Sequence, residues 1–326
     1  MTAKTRREFL KTAAAASGVV MFTPDRIWAQ VASGADTSGA IVPETTVSAK
    51  PAQLSIARWQ SNTPGDVQTV ATSLTEQAIA ALGGMGRFVS RGDVVWLKPN
   101  IGWNAAPELA ANTNPDVVTT LARLCFEAGA KQVKVGDNPC NNPRQTYQRS
   151  GIAEAVAAVG ADVITLDPRR FKDVALGGQR LSSWPLYPEV LEADLVINIP
   201  IVKHHSLCRV SLGMKNYMGI IGGDRSRWHQ ALSECLCDIT DFMKPRLTVL
   251  DAVRILTAHG PRGGNPSDVR REDVVAAGTD IVALDAFGAE LLGHDPSEIV
   301  TVKAGYAAGL GQLDYRSLTP IEVAVS

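Results

Sequence analysis

Residues suited to chemistry concentrate near the middle of the chain. The sequence contains five histidines, and three of them, His204, His205 and His229, fall within a 26-residue stretch that also contains Lys215 and directly follows Lys203. Neutral imidazoles bind transition metals, and lysine ammonium groups bind phosphates and carboxylates. The stretch therefore predicts a site for a divalent metal, for a small anion, or for both.

Other polar residues directly follow apolar segments of the kind that form buried strands. Lys98 and Asn100 follow one such segment, Asp137 follows the next, and Asp251 follows a later one. In an α/β sheet the carboxyl ends of the strands gather at one edge, where ligands bind. Two interpretations stay open for each charge: Lys98 binds an anion or pairs with a carboxylate, and Asp137 binds a metal or a hydroxyl, or caps a helix.

The environment of Lys215 is rich in glycine. Gly213, Gly219, Gly222 and Gly223 surround it and would let the backbone approach an anion. Their spacing does not match a Walker loop or a dinucleotide-binding fingerprint, so the common nucleotide motifs are not indicated. Adjacent His204 and His205 would point to opposite sides of an extended chain, so only one of them is expected to face the site.

The composition is that of a globular protein. The chain has 326 residues, of which 45% are hydrophobic and 20% charged, with 32 lysines and arginines against 33 acidic residues. That balance of charges does not indicate nucleic-acid binding. The five cysteines are scattered and odd in number, without a C-x-x-C or ferredoxin-like run. The pattern indicates neither a disulfide framework nor an iron–sulfur cluster.

The N-terminal residues predict where in the cell the protein is found. Arg6-Arg7-Glu8-Phe9-Leu10-Lys11 precedes an uncharged, weakly apolar run, Thr12–Phe22, which is too short to span a bilayer. This is the pattern of a twin-arginine export signal, assigned to residues 1–29. It predicts recognition by the twin-arginine translocon, a periplasmic location and no stable membrane insertion after cleavage. Residues 30–53, rich in small residues and proline, are predicted to be a flexible linker.

Residues 54–326 alternate short β-branched segments with longer amphipathic ones. This pattern predicts a single α/β domain, in which a mostly parallel sheet carries crossover helices on both faces. The predicted strands are 54–59, 94–98, 132–136, 162–166, 194–199, 247–250 and 321–325, and the predicted helices are 67–82, 115–128, 145–159, 228–243, 281–292 and 296–308.

Taken together, these motifs resemble the family catalogued as domain of unknown function 362. The residues that carry the resemblance are Lys98-Pro-Asn100, Gly136-Asp137, Asn198-Ile-Pro200, Lys203-His204-His205, Lys215-Asn216, Gly219, His229, Asp251-Ala-Val253, Gly260-Pro261 and Asp280 through Asp285. The resemblance covers residues 54 to 326 and implies a fold and a site, but no reaction. Many relatives have Thr at the position of His204, which makes His205 the better ligand candidate. The ferredoxin-like cysteine run of many relatives is missing here, which argues against a [4Fe–4S] cluster.

The resulting hypothesis is a metal-assisted enzyme that acts on an anionic small molecule. The metal ligands would be His205, His229, Asp137 and Asp251, the catalytic residues Lys98, Lys203 and Lys215, and the ligand-binding residues Asn100, Asn216, Gly222 and Gly223. The alternative is a non-catalytic periplasmic binding or accessory protein for a redox or metalloenzyme system. Asp285, inside a predicted apolar helix, is expected to pair with one of the three lysines.

Overall fold

The structure, a computed structural model, describes residues 52–60 and 65–326. The predicted signal peptide and residues 30–51 of the predicted linker lie outside the described residues.

The described chain contains both strands and helices. The strands are β1 (Leu54–Trp59), β2 (Val94–Pro99), β3 (Gln132–Val135), β4 (Asp162–Val163), β5 (Lys172–Ala175), β6 (Ser183–Leu186), β7 (Leu195–Ile199), β8 (Ile201–His205), β9 (Arg209–Ser211), β10 (Leu247–Leu256), β11 (Val269–Gly278) and β12 (Ile321–Val325). The α-helices are α1 (Val67–Ala81), α2 (Pro115–Glu127), α3 (Pro143–Arg149), α4 (Ile152–Ala158), α5 (Pro188–Glu192), α6 (Gly213–Asn216), α7 (Leu232–Met243), α8 (Ile281–Leu291) and α9 (Val300–Ala307).

Ten of these strands form one sheet. Its main path runs β12-β1-β11-β10-β7-β2-β3-β4, and β8 joins β10 and continues into β9. β2 pairs in parallel with β3 and β7, and β10 pairs in parallel with β7 and β8, whereas β11 runs antiparallel to β1 and β10. The predicted α/β class with a mostly parallel sheet is confirmed.

Helices cover the two faces of the sheet. On one face, α1, α2 and α4 pack over a core that includes Val249 and Val253 of β10. On the other face, α8 packs against β10 so closely that a Cβ at Gly288 would lie 3.3 Å from Leu250. Alternation along β10 therefore sends neighbouring side chains into two different cores.

The predicted helices were partly wrong at their boundaries. The single helix expected over 145–159 is two short helices, because Gly151 between them adopts a left-handed backbone conformation with φ of 73°. The helix expected over 228–243 begins only at Leu232, and a 3₁₀ segment, Arg225–Ala231, precedes it. His229 therefore lies in that segment and not on α7. The helix expected over 296–308 is a 3₁₀ turn followed by α9.

Six strands differ from the prediction, and the differences in β8 and β10 concern the candidate site. β10 continues to Leu256, so Asp251 lies inside a strand and not after its end. Lys203 and both adjacent histidines belong to β8, where a loop was expected. The β5–β6 hairpin and strands β9 and β11 were not predicted, and β11 was missed because its first half is charged and only partly buried.

No helix in the described ranges 52–60 and 65–326 is both long and apolar enough to cross a membrane.

Candidate functional site

A buried ion pair joins the carboxyl ends of β2 and β3. The Nζ of Lys98, the penultimate residue of β2, lies 2.8 Å from Oδ1 of Asp137, and the two side chains are 0% and 2% exposed. The same ammonium donates to the carbonyl of Pro99 at 2.7 Å and to Oδ1 of Asn216 at 3.1 Å. These three partners match the three N–H groups of a lysine. Burial lowers the pKa of Lys98, and the Asp137 carboxylate opposes that shift.

Asp137 also organises the loops around it. Its Oδ2 accepts from the backbone N–H of Ile101 at 2.6 Å, and its Oδ1 accepts from that of Asn138 at 2.9 Å. Gly219 passes so close that a Cβ there would fall 1.6 Å from Asp137 Oδ1. A glycine is thus required where the backbone crosses the ion pair.

Asn216 connects this pair to the rest of the sheet edge. Its Oδ1 accepts from Lys98 and from Nδ2 of Asn100, while its Nδ2 donates to the carbonyl of Lys98 and to Oδ1 of Asn198. Asn198 in turn donates to the carbonyl of Gly213, at the start of α6. Both the oxygen and the nitrogen of the Asn216 amide therefore have hydrogen-bond partners, and these bonds join the amides into one network.

Lys203 is buried without a carboxylate partner in the described chain. Its Nζ donates to Oδ1 of Asn100 at 3.0 Å and to the carbonyl of Ala111 at 2.6 Å. Burial, together with the nearby charge of Lys215, lowers the pKa of Lys203 to about 7. An anion that binds beside such a lysine stabilises its protonated form and raises its pKa.

Lys215, on α6, is the least satisfied cation of the group. The side chain is half-buried, and the only partner of its Nζ in the described residues is the sulfur of Met218 at 3.6 Å. Burial lowers the pKa of Lys215, and the charge of Arg225 lowers it further. Arg225 is itself committed to three backbone carbonyls, those of Asn138, Pro139 and Met218.

The side chains of His205 and His229, the two histidines predicted as metal ligands, contact each other. The ring centroids of His205 and His229 are 6.1 Å apart, with an angle of 24° between the planes. Burial and the charges of Lys215 and Lys203 lower the pKa of His205 to about 3, and burial and Lys215 also lower the pKa of His229. Both rings are therefore neutral at physiological pH.

Backbone partners fix which ring nitrogen carries the proton. The N–H of Leu207 donates to Nδ1 of His205 at 3.2 Å, so the neutral ring carries its proton on Nε2. Nδ1 of His229 lies 3.2 Å from the carbonyl of Ser226, which can only accept, so this ring has a free lone pair on Nε2. The pair thus offers one N–H donor and one acceptor.

The remaining predicted residues lie elsewhere or have other partners. Asp251 accepts the backbone N–H groups of Asn114 and Val253, which use both of its oxygens. Across the described part of the chain, no three His, Cys, Asp or Glu side chains are grouped so that they could hold a metal ion. The four predicted metal ligands are therefore not gathered into one coordination set, because both carboxylates bind backbone or Lys98 instead.

Gly222, Gly223 and Asp285 have structural contacts. A Cβ at Gly222 would collide with Phe171, and Gly223, with a φ of 66°, lies beside Pro185. Asp285 does not pair with a lysine as expected. It accepts the backbone N–H groups of Gly213 and Met214 at 2.5 and 3.0 Å, and burial raises its pKa to about 7.

Two neighbours of the candidate site were missed by the sequence analysis. Cys140 is an exposed thiol three residues after Asp137, close enough to interact electrostatically with Lys203 and Lys215. Arg225 ties the loop after β3 to the loop after α6. The position of Cys140 just after a strand end was a usable signal, whereas the backbone contacts of Arg225 left none in the sequence.

The fold and site define an α/β protein whose sheet edge carries a lysine and amide network. The chain matches the family model described as Domain of unknown function (DUF362) over residues 95–290, and it belongs to that family. It is 31% identical over 266 residues to the Thylakoid-associated protein sll1697 of Synechocystis sp., an alignment that covers 79% of this chain and 79% of the relative.

Among solved structures, the chain is similar to the lactate racemase apoprotein from Thermoanaerobacterium thermosaccharolyticum. The TM-score is 0.46 at 11% sequence identity, and the match covers 76% of this chain and 58% of that one. Likeness at this level says nothing about the activity of this chain.

Proposed function

We propose that this protein binds a small anionic molecule at the lysine–histidine site, defined as Lys203, Lys215, His205 and His229. The observation that carries the proposal is Lys215, a half-buried cation with no carboxylate partner in the described chain. Its charge reaches the other three members, whose pKa values it lowers. A desolvated positive field without a counter-charge favours an anionic ligand.

The histidines add selectivity to this field. His205 can donate through Nε2 and His229 can accept through Nε2, so together they suit a ligand that carries an anionic group beside a hydroxyl. His229 can also accept a proton from such a ligand through its Nε2 lone pair, which is general-base chemistry. Lys98 acts as a positioning residue in this scheme, since Asp137, Pro99 and Asn216 occupy its three donors.

The test is calorimetric titration of the full-length protein with inorganic phosphate and with lactate. Lys215→Gln should weaken binding of the better probe by at least about tenfold, because one charge-assisted contact is lost. Lys131→Gln is the matched control, since Lys131 is an exposed lysine that directly precedes β3, at the opposite end of that strand from Asp137, and it should bind as the wild type does. The affinity for lactate, whose own charge is constant in this range, should also fall between pH 6 and pH 8, as Lys203, with a pKa of about 7, loses its proton. Equal affinities in the wild type and Lys215→Gln would contradict the proposal.

Metal-assisted catalysis is a second candidate, favoured by the contact between two imidazoles. It requires Asp137 to leave Lys98, and it requires His205 to move its proton to Nδ1 and lose the Leu207 hydrogen bond. Elemental analysis of protein purified without chelator, with His205→Ala and His229→Ala alongside, separates the two. Stoichiometric metal that both variants lose supports this candidate, and anion binding that persists after chelation supports the first.

We further propose export through the twin-arginine pathway to the periplasm, on the strength of Arg6-Arg7 and the uncharged run that follows. An Arg6→Lys/Arg7→Lys variant should accumulate in the cytoplasmic fraction. Undiminished export of that variant would contradict the assignment.

A further inference from the structure

A cleft that shares no lining residue with the lysine–histidine site opens beside the loop that follows β2. Its volume is about 540 Å³, within the range of small-molecule sites. The walls come from that loop, from the beginning and end of α3, and from the turn after β10. Of its lining residues, six carry the argument: Trp103, Asn141, Asn142, Arg149, Arg262 and Gly263.

Hydrogen bonds and close packing hold the backbone of the cleft walls in place. Asn112 is buried and clamps the loop, since its Oδ1 accepts from the N–H of Trp103 at 2.9 Å and its Nδ2 donates to the carbonyl of the same residue at 2.9 Å. The N–H of Asn104 donates to Oδ1 of Asn141 at 3.0 Å, which ties the loop to the beginning of α3. On the third wall, a Cβ at Gly263 would lie 3.3 Å from the carbonyl of Leu109. Trp103 is therefore presented on a fixed support, and a fixed site loses less entropy when it binds.

The charge of the cleft has one sign. Arg149 and Arg262 are its only charged lining residues, and neither forms an ion pair or a hydrogen bond through its side chain within the described residues. The amide oxygens of Asn141 and Asn142 accept backbone N–H groups, at 3.0 and 3.3 Å, so their Nδ2 groups remain available as donors. The side chains of these four residues thus offer donors to the cleft, which Trp103 also lines.

We propose that this cleft is a second binding site, for a small organic anion that has a planar apolar part. The guanidinium groups of Arg149 and Arg262 hold the carboxylate or phosphate group, and the ring of Trp103 packs against the planar part. The inference is independent of the proposed function, because none of the lysine–histidine residues lines the cleft.

The experiment is calorimetric titration with benzoate and phenyl phosphate, with the neutral benzamide as a third probe. We expect at least one of the two anions to bind and benzamide to bind at least about tenfold more weakly. Arg149→Gln and Arg262→Gln should each weaken binding by about tenfold or more, and Trp103→Ala should weaken it while Trp103→Phe retains most of it. Arg144→Gln, an exposed arginine on α3 that does not line the cleft, is the matched control and should behave as the wild type.

Three results would overturn the proposal: no binding of either anion at millimolar concentration, equal affinity for benzamide, or unchanged affinity in both arginine variants. Comparison of benzoate with phenyl phosphate shows which anionic group the arginines prefer. The Lys215→Gln variant should retain the part of the binding that the two arginine variants lose. Its result separates failure of this site from failure of the lysine–histidine site.

Discussion

Replacing Asp137 with Asn should destabilise the fold by about 3 kcal/mol, the lower end of the range for breaking a buried ion pair. The pair is almost completely buried, with Nζ and Oδ1 2.8 Å apart. The estimate takes the lower end for two reasons. The ammonium of Lys98 keeps its bonds to Pro99 and Asn216, and the new amide oxygen can still accept from Ile101. What is lost is the counter-charge of a desolvated lysine.

The assay is urea unfolding at neutral pH, followed by circular dichroism, on a double-mutant cycle. Lys98→Met/Asp137→Asn removes both charges, so its loss of stability should be about 1–3 kcal/mol smaller than the sum of the two single losses. Glu322→Gln provides the surface control, because Glu322 pairs with Arg58 at the exposed edge strand β12 and such pairs contribute about 0–1 kcal/mol.

Additive losses in the cycle, or a cost of less than about 1 kcal/mol for Asp137→Asn, would refute the assignment of this pair as structural. That outcome would return Asp137 to the role of a residue that binds a metal or a hydroxyl. It would also return Lys98 to the set of residues that contact the ligand.

Two further predictions concern the same sheet edge. Lys203 has a pKa of about 7 when folded against an ordinary value of 10.5, so the unfolded chain binds more protons between these values and stability rises with pH there. The free energy of unfolding of Lys203→Met should lack this increase, which is about 1.4 kcal/mol per pH unit. Urea unfolding at pH 7, 8 and 9 measures it, and the same increase in the variant as in the wild type would contradict the prediction. Gly219→Ala places a Cβ 1.6 Å from Asp137 Oδ1 and should cost about 1–3 kcal/mol in thermal or urea unfolding, whereas Gly86→Ala, with no heavy atom within 4 Å of its Cβ, should cost far less.

The sequence predicted most of the parallel strands well, because they are short segments rich in β-branched and other apolar residues that are followed by turn residues. β1, β2, β3 and β7 lie within one or two residues of their predicted bounds. Asn114 caps α2 by accepting from the N–H of Asp116. Antiparallel β11 was missed because half of it faces solvent and alternates too weakly to stand out.

The candidate site was harder to predict, since a charged residue in the sequence does not show which group will neutralise its charge. The sequence placed Lys98 and Asp137 at the same edge but left open whether they bind a ligand or each other. Asp285 illustrates the same difficulty, because its partners are the backbone N–H groups of α6 and carry no residue signature. The alternation argument did hold for the adjacent histidines: both lie on extended β8, His205 contacts His229, and His204 accepts from the N–H of Gly260.

The distribution of charge at this edge has a consequence for ligand binding. Asp137 neutralises Lys98 at 2.8 Å, whereas Lys203 and Lys215 have no carboxylate partner in the described residues. Holding Lys203 in that place lowers its pKa to about 7, which means that its protonated form is destabilised in the free protein. An arriving anion would remove that penalty, so binding should be accompanied by uptake of a proton, and the observed heat should change with the ionisation enthalpy of the buffer. The unpaired lysines are then the part of the network that responds to the ligand, and the Lys98–Asp137–Asn216 contacts are the rigid frame that keeps them in position.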